Sequence, residues 1–365
     1  MRIERVAAIP LSIPYTYGAS GYTLGSQHAQ VLDFCLVRVE TADGVVGWGD
    51  AFAYSSRTAV TAAVRDMVAP LAVGRDDGDI GALMRDLQQK LHIFGRYGIT
   101  LHALSGLDIA LWDIAAKRAG RPLWQLIGGS ARDTLPAYAS LLRYGEPDLV
   151  ARHAARAVGE GFAAIKLHEI DETAIAAARA AVPGSVPLMF DVNCPWTEAQ
   201  AVDIGLRLRA HAPEWLEEPV FPPEDFAALA RVRKATGLPL AAGENWCTAV
   251  QFRQALEAGA VDIVQPSVAK VSGVSEFLAV LDLAHERGAR VAPHSPYFGP
   301  GALATLHLLT RLPEPAWFEL FYLDAEAALF AEALEPIAGR MRVPQGPGLG
   351  CDPDPAVVER YRTDR

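Results

Sequence analysis

Two patterns of hydrophobic and polar positions divide this chain. Up to about residue 129, alternation at every second position predicts the strands MRIERVAAIPLSI and HAQVLDFCLVRVET, and VVGWGDAFA predicts a third. Helical patterns follow, and the last of them, GITLHALSGLDIALWDIAAKRAG, ends at Gly120 with Pro122 just beyond. From about Thr134 onward, short apolar runs alternate with helical patterns instead.

The second region predicts eight strands separated by helices: LPAYAS, AAIKLH, PLMFDVN, EWLEEP, PLAAGEN, VDIVQPS, ARVAPHS and AWFELF. This favours a closed parallel (β/α)₈ TIM-type barrel over an open doubly wound sheet, because no Gly-rich phosphate-binding turn follows the first strand. We therefore predict an α/β protein with an N-terminal α+β capping domain (1–129), a barrel (130–330) and a C-terminal segment (331–365) that packs back on the capping domain.

The segment between the first two predicted strands, residues 15–30, is rich in Gly, Ser, Thr and Tyr. That composition is typical of a mobile loop. Two interpretations stay open: an ordinary solvated loop, or a lid over a site in which Tyr17 or Tyr22 touches the substrate.

Composition narrows the class of protein. Half of the 365 residues are hydrophobic and 21% are charged, as in a folded globular chain. The net charge of −10 and the lack of a basic cluster argue against a nucleic-acid partner. No apolar run reaches the roughly 18 residues of a membrane span, and the N-terminus lacks a signal-peptide core. Four scattered cysteines predict reduced thiols in a cytoplasmic protein.

Acidic residues end three consecutive apolar runs: Asp191, Glu217 and Glu244. The strands of a barrel all end on one face, about 4.8 Å apart. Any one acid alone would suggest a helix cap or a salt bridge, but three together repel unless a cation binds, and oxygen ligands select Mg²⁺, with Mn²⁺ as a substitute. Asn193 is a further ligand or orients Asp191. Glu218 is a rival ligand that strand alternation sends to the other face.

Three bases follow the same spacing. Lys166 and His168 are two apart on the second barrel strand, so they point the same way, and His294 ends the seventh strand, nearly opposite. We expect a dication to lower the pKa of Lys166. Glu319 ends the eighth strand and either orients substrate, donates a hydrogen bond when protonated, or forms a salt bridge. Three other histidines fall in helical patterns and are expected to be structural: His92, His102 and His307.

These segments together resemble the enolase superfamily, in its mandelate racemase and muconate-lactonising branch. The resemblance rests on LSGLDIALWDIAAKRAGRPLWQLIGG before the barrel and on AAIKLH, DVN, WLEEP, GENW, VAPHSPYFGPG and FEL at the strand ends. It implies Mg²⁺-dependent removal of the proton α to a substrate carboxylate through an enediolate, with Lys166, His168, His294 and Glu319 as catalytic groups.

Three functions fit this resemblance differently. Dehydration of a sugar acid or related hydroxy-carboxylate is the leading one, because His294 can supply the acid that a leaving hydroxyl needs. A racemase, epimerase or cycloisomerase using the same intermediate is the alternative. A non-catalytic barrel that serves as a binding module is disfavoured, since the metal ligands and bases are all present.

Two departures from the family pattern affect the mechanism. His168 stands where lysine is commonest, and Ser267 stands where an aspartate usually partners the catalytic histidine. We therefore hypothesise that His168 or Lys166 removes the α-proton while His294 protonates the leaving hydroxide or the opposite face. Asn245 is given a supporting role beside the third ligand, and Lys270 is expected to point away from the barrel mouth.

The remaining predictions concern partners. The substrate is expected to be a small carboxylate, recognised by the 15–30 loop and by side chains at other strand ends, namely Tyr297, Trp246 and Phe321. Barrels of this type are often oligomers, so we expect a homo-oligomer.

Overall fold

The computed structural model describes residues 1–19 and 30–364. Most of the predicted 15–30 lid, including Tyr22, lies outside the described residues, so the expectation for that loop stays a prediction.

The N-terminal region is an antiparallel sheet covered by helices. Its strands are β1 (Ile3–Thr16), β2 (Val31–Thr41) and β3 (Val46–Ala51), paired in that order. The covering elements are α1 (Arg57–Ala63), a π-helical turn (Val64–Val68), α2 (Ala69–Ala72), α3 (Ile80–Lys90), a 3-10 turn (His92–Phe94), α4 (Ile99–Arg118) and α5 (Leu123–Leu126).

Helix α4 lies directly on β3. A Cβ at Gly49 would collide with the carbonyl oxygen of Gly106, so only glycine permits this approach of helix to strand. The helix is long and apolar enough to cross a membrane, yet 78% of its most apolar window is buried inside the protein. We conclude that α4 is a core helix of the capping domain.

The predicted (β/α)₈ barrel is confirmed. Eight parallel strands follow one another in the sheet, and the last returns beside the first: β4 (Thr134–Leu141), β5 (Ala164–Leu167), β6 (Leu188–Asp191), β7 (Trp215–Glu217), β8 (Leu240–Ala242), β9 (Ile263–Val264), β10 (Arg290–Val291) and β11 (Phe318–Phe321). The helices between them are α6 (Pro147–Gly159), α7 (Glu172–Ala181), α8 (Glu198–Leu208) with a 3-10 turn (Arg209–His211), α9 (Phe226–Thr236), α10 (Ala249–Glu257), α11 (Val274–Glu286) and α12 (Pro300–Leu309).

A serine links the last two barrel strands. The hydroxyl of Ser295, just after β10, accepts from the N–H of Glu319 at 3.1 Å and donates to its carbonyl oxygen at 3.3 Å. This side-chain link joins β10 to β11. The other neighbouring barrel strands are joined by backbone pairing. The serine link holds Glu319 at the barrel mouth.

The chain after the barrel contacts both parts of the protein. Its elements are β12 (Asp324–Ala325), α13 (Ala331–Leu334), β13 (Arg340–Arg342) and α14 (Pro355–Tyr361). Strand β12 pairs with the end of β1, and β13 pairs antiparallel with β4. Further along, the N–H of Leu349 donates to Asp113 at 2.8 Å and the N–H of Thr363 donates to the carbonyl of Pro10 at 3.1 Å.

Candidate active site

The structure brings the three predicted metal ligands together. Asp191 and Glu217 end β6 and β7 and stand directly opposite each other in the sheet, and Glu244 follows β8 by two residues. One carboxylate oxygen of each lies within 4.8 Å of the others. Asp191 and Glu217 are buried, whereas the side chain of Glu244 is 14% exposed. The cluster is therefore open on the side of Glu244.

Its charge fits a hard divalent cation. Three buried carboxylates, those of Asp191, Glu217 and Glu319, share the single ammonium of Lys166, and Glu244 adds a fourth carboxylate beside them. Burial and the neighbouring Asp191 raise the pKa of Glu217 well above its ordinary value. All donors are oxygens, the ligand type that Mg²⁺ selects in proteins. Asp191, Glu217 and Glu244 are the residues that would hold such an ion.

Lys166 lies at the centre of the buried carboxylates. Its Nζ is 3.0 Å from Asp191, 2.9 Å from Glu217 and 2.7 Å from Glu319. Burial acts to lower the pKa of this ammonium, but the three carboxylates outweigh burial and raise it well above its ordinary value. The lowering of this pKa that a bound dication is expected to cause stays a prediction, because the three carboxylates here act on Lys166 without a cation beside them.

His168 faces the same carboxylates as Lys166, as strand alternation predicts. Its Nδ1 lies 2.6 Å from the carbonyl oxygen of Leu141, and its Nε2 lies 3.2 Å from Asp191 Oδ2. A carbonyl only accepts, so Nδ1 carries a hydrogen. Asp191 Oδ2 has no hydrogen-bond partner among the described residues, so Nε2 of the neutral ring is not engaged as a donor there and can accept a proton. The basic nitrogen of His168 thus points into the site.

His294 approaches the trio from its other end. Its Nε2 lies 2.6 Å from Glu244 Oε2, and its Nδ1 lies 3.2 Å from the hydroxyls of both Ser267 and Tyr297. Burial acts to raise the pKa of Glu244, yet His294 and Lys270 lower it to about 2. Groups able to transfer protons therefore stand at both ends of the row of carboxylates.

Glu319 is held as a carboxylate and not as a hydrogen-bond donor. Its Oε1 accepts from the Ser140 hydroxyl at 2.8 Å, and its Oε2 accepts from the N–H of Ser295 at 3.3 Å. Burial acts to raise its pKa, but Lys166 prevails and keeps it below the ordinary value. Of the three roles considered for Glu319, these contacts favour the salt bridge, here to Lys166.

The two asparagines predicted to support the metal ligands contact the carboxylates in different ways. Asn193 is exposed, and its backbone N–H, not its side chain, donates to Asp191 at 3.0 Å. The side chain of Asn245 donates to both oxygens of Glu218, at 2.9 and 3.0 Å, and to Glu244 at 3.3 Å. Glu218 lies outside the trio, and its backbone has a φ of 48°. Strand alternation ends before it.

Other expectations were wrong. Lys270 does not point away: its Nζ lies 3.2 Å from Asn245 Oδ1 and 4.9 Å from the centre of the Phe52 ring. Trp246 is fully buried and packs between Phe226 and Phe252, so it does not face a substrate.

Tyr17 and two of the helical histidines are packed into the interior. The ring of Tyr17 is buried against Tyr15 and Tyr144, at 6.4 and 5.5 Å between ring centres. His102 packs edge-on against Phe52, and His307 accepts from the N–H of Trp124 at 3.2 Å, which agrees with the structural role expected of both.

Sequence reasoning missed two contributors. Trp215 lies two residues before Glu217 on β7, and its indole N–H donates to Glu217 at 2.9 Å. Residues just after β3 bring aromatic side chains of the capping domain to the mouth, where Phe52 and Tyr54 pack on Tyr297 at 6.1 and 6.4 Å. The two-residue spacing of Trp215 from Glu217 was the one available signal, since it places both side chains on the same face.

A barrel whose strand ends gather three carboxylates and flanking bases, under an α+β cap, defines a class of metal-dependent enzyme. Residues 149–357 match the family described as "Enolase C-terminal domain-like", and residues 21–128 match "Mandelate racemase / muconate lactonizing enzyme, N-terminal domain". The chain belongs to the enolase superfamily, in its mandelate racemase and muconate-lactonising branch. The resemblance seen in the sequence is confirmed.

Known relatives include enzymes of sugar-acid metabolism. The chain is 34% identical over 346 residues to the D-galactarolactone cycloisomerase of Agrobacterium fabrum, covering 90% of each chain. It is 31% identical over 343 residues to the arabinonate dehydratase of Saccharolobus solfataricus, covering 91% of each. Among solved structures, a racemase from Streptomyces coelicolor A3(2) with bound magnesium superposes with a TM-score of 0.85 at 30% identity, covering 99% of this chain and 100% of that one.

Proposed function

We propose that this protein is a Mg²⁺-dependent dehydratase. It removes the proton α to the carboxylate of a sugar acid or related hydroxy-carboxylate and then expels a β-hydroxyl. One observation carries the proposal: Asp191, Glu217 and Glu244 converge within 4.8 Å, with Lys166 and His168 at one end and His294 at the other. Mn²⁺ would satisfy the same oxygen ligands.

The proton transfers can be assigned to groups on the two sides. A bound Mg²⁺ would supply positive charge beside the substrate carboxylate and so acidify the neighbouring C–H bond. His168 or Lys166 takes the α-proton. The geometry of His168 leaves Nε2 able to accept it, whereas Lys166 can accept it only once a bound dication offsets the carboxylates that raise its pKa. His294 Nε2 gives a proton to the departing hydroxyl, which leaves as water. The remaining enol becomes a 2-keto acid.

The test is incubation of the Mg²⁺-loaded protein with a panel of sugar acids and their lactones in deuterated water. A dehydratase forms a keto acid lighter than its substrate by one water. A racemase or epimerase exchanges the α-proton without forming a keto acid. If the protein binds Mg²⁺ in calorimetry but exchanges no α-proton in any acid, the proposed substrate class is wrong. Failure to bind Mg²⁺ would favour a non-catalytic barrel.

Single-residue variants test which side of the site removes the α-proton and which side protonates the leaving hydroxyl. We expect H168N or K166M to lose α-proton exchange by about 10²- to 10⁴-fold. H294N should keep exchange but lose product formation, because its role comes after C–H cleavage. The reverse pattern, with exchange lost in H294N and kept in the other two variants, would overturn the assignment.

Cycloisomerisation is the second candidate, favoured by the 34% identity to a D-galactarolactone cycloisomerase. In that reaction the leaving oxygen stays attached to the substrate, so the product has the mass of the substrate. Mass spectrometry of the product therefore separates it from dehydration.

Two wider expectations accompany the proposal. We expect the protein to work in the cytoplasm, which the four free thiols support. We also expect a homo-oligomer, which size-exclusion chromatography with light scattering would test.

A further inference from the structure

Gln265 is a buried amide that the protein does not pair. It directly follows β9 and is fully buried. Neither its side-chain oxygen nor its side-chain nitrogen has a hydrogen-bond partner among the described residues. Burying an amide in this state is unfavourable, and a methionine of similar size would avoid the loss. Packing of the described residues alone therefore gives no reason for an amide at this position.

The side chain of Gln265 faces the inside of the barrel. Its backbone N–H donates to the carbonyl of Ala242 at 3.0 Å, so the pairing of β9 with β8 continues through it. Two residues earlier, Ile263 packs in the hydrophobic cluster inside the barrel. Two residues later, Ser267 Oγ lies 3.2 Å from His294 Nδ1. Because alternate residues of an extended chain share a face, Gln265 lies between these two levels, just below His294.

The neighbours of Gln265 in the sheet are small. On the β8 side the next position after the pair of Ala242 with Val264 is Gly243, where a Cβ would lie 2.8 Å from the Gln265 backbone nitrogen. On the β10 side the corresponding residue is Ala292, whose N–H donates to the carbonyl of Val264 at 3.1 Å. Neither neighbour has a polar side chain, so the amide is not bonded from its own level and has space beside it.

The carboxylates of the site have other donors. Glu217 accepts from the Trp215 indole at 2.9 Å, and Glu319 accepts from the Ser140 hydroxyl at 2.8 Å. The amide of Gln265 is therefore available to a ligand. A carboxamide presents an acceptor and a donor side by side, and the group that matches both is a hydroxyl, which donates and accepts.

We propose that Gln265 is a specificity-determining residue whose carboxamide binds a substrate hydroxyl beyond the α-carbon. The inference rests on the proposed function, in which His294 serves the departing β-hydroxyl. Strand β9 lies between β8 and β10, which lead to Glu244 and to His294. A site that hydrogen-bonds a substrate hydroxyl rejects an analogue without one, because its own polar group is then left unpaired. A water molecule has the same chemistry, and the test separates the two occupants.

The test compares ligand binding with stability in Q265M, which keeps the length of the side chain and removes its hydrogen bonds. Calorimetry measures the affinity of the Mg²⁺-loaded protein for D-gluconate, D-galactonate, D-xylonate and glycolate, an acid with no hydroxyl beyond the α-carbon. We expect Q265M to bind the sugar acids about 5- to 100-fold more weakly than the parent and glycolate equally well. Its Tm should equal or exceed that of the parent, since no hydrogen bond among the described residues is lost. Q254M is the matched control, because Gln254 is exposed on α10.

Each outcome decides the proposal. Equal sugar-acid affinities in Q265M and the parent would overturn it and leave the proposed function standing, because the amide would then hold only water. A Tm of Q265M clearly below those of the parent and Q254M would also overturn it, because the amide would then bond to the protein. If no sugar acid binds the Mg²⁺-loaded parent, the proposed function fails and this inference fails with it. Once a substrate is found, its kcat/KM should fall in Q265M by the same factor as its affinity.

Discussion

The indole N–H of Trp215 donates to Oε2 of Glu217 over 2.9 Å, inside the barrel and one layer below the mouth. Both residues are fully buried. The other oxygen, Oε1, lies 2.9 Å from Lys166 Nζ. Glu217 is thus held from below by an uncharged donor and from the side by a cation, and its carboxylate is oriented before any metal binds.

W215F should therefore weaken Mg²⁺ binding. The substitution keeps an aromatic ring but removes the hydrogen bond, and losing such a partner of a metal ligand typically costs about 10- to 100-fold in affinity. Isothermal calorimetry measures the change. W317F is the matched control, because Trp317 packs on the Trp215 ring at 6.3 Å and loses the same atoms. Equal affinities in the two variants would show that the hydrogen bond does not orient Glu217.

Glu217 and Glu218 offer a test of the ligand set itself. Saturating Mg²⁺ should raise the Tm of the parent, by an amount that corresponds to about 2.7 kcal/mol at 100 times the Kd, and chelation should reverse it. E217Q should abolish most of this rise. E218Q should keep it, because Glu218 lies outside the trio and is bound to Asn245. Loss of the rise in E218Q but not in E217Q would exchange their roles.

The strand-end positions were predictable because barrel topology fixes them. Asp191 and Glu217 end adjacent parallel strands, and Lys166 and His168 share a face two residues apart. No contact needs to be known for these placements. Periodicity and spacing alone bring the residues to one mouth.

The prediction for Lys270 failed where the backbone leaves the strand. Lys270 lies in a turn in which its N–H donates to the carbonyl of Ser267 at 2.9 Å. Strand alternation says nothing about side chains there. The pairing of β13 with β4 joins segments far apart in sequence, for which no local pattern exists. The contact of Tyr297 with His294 is local in sequence, but it is specified by packing and not by a periodic pattern.

The Asp108 carboxyl predicts a pH dependence of stability. It lies buried on α4, where it accepts from the N–H of Ser275 at 3.0 Å. Burial raises its pKa to about 7, although the Ser275 bonds act to lower it. The unfolded chain loses this proton near pH 4, so between about pH 4 and 7 the folded state binds more protons and its stability falls as the pH rises.

D108N removes that titration. The Tm of the parent relative to D108N should therefore decrease from pH 5 to pH 7.5, by the equivalent of up to about 1.4 kcal/mol per pH unit. D282N is the control, since Asp282 is an exposed carboxylate on α11 and should leave the slope unchanged. A constant difference between parent and D108N across this range would mean that Asp108 is ionised throughout.

The packing of Asp108 against α11 predicts unequal losses of stability for two glycine substitutions at the ends of that helix. Gly273, before the helix, has a φ of 92°, and a Cβ there would collide with the Asp108 side chain, whereas Gly288, after it, has a φ of 65° and nothing within 4 Å of that position. Alanine at Gly288 incurs about 1–2 kcal/mol for the positive φ, and alanine at Gly273, with a ψ of −163°, enters a backbone region that is essentially restricted to glycine and costs about 1–3 kcal/mol. G273A adds overpacking of about 1–3 kcal/mol, so its Tm should fall clearly below that of G288A. Equal losses in the two variants would show that the capping domain does not press on α11 through Asp108.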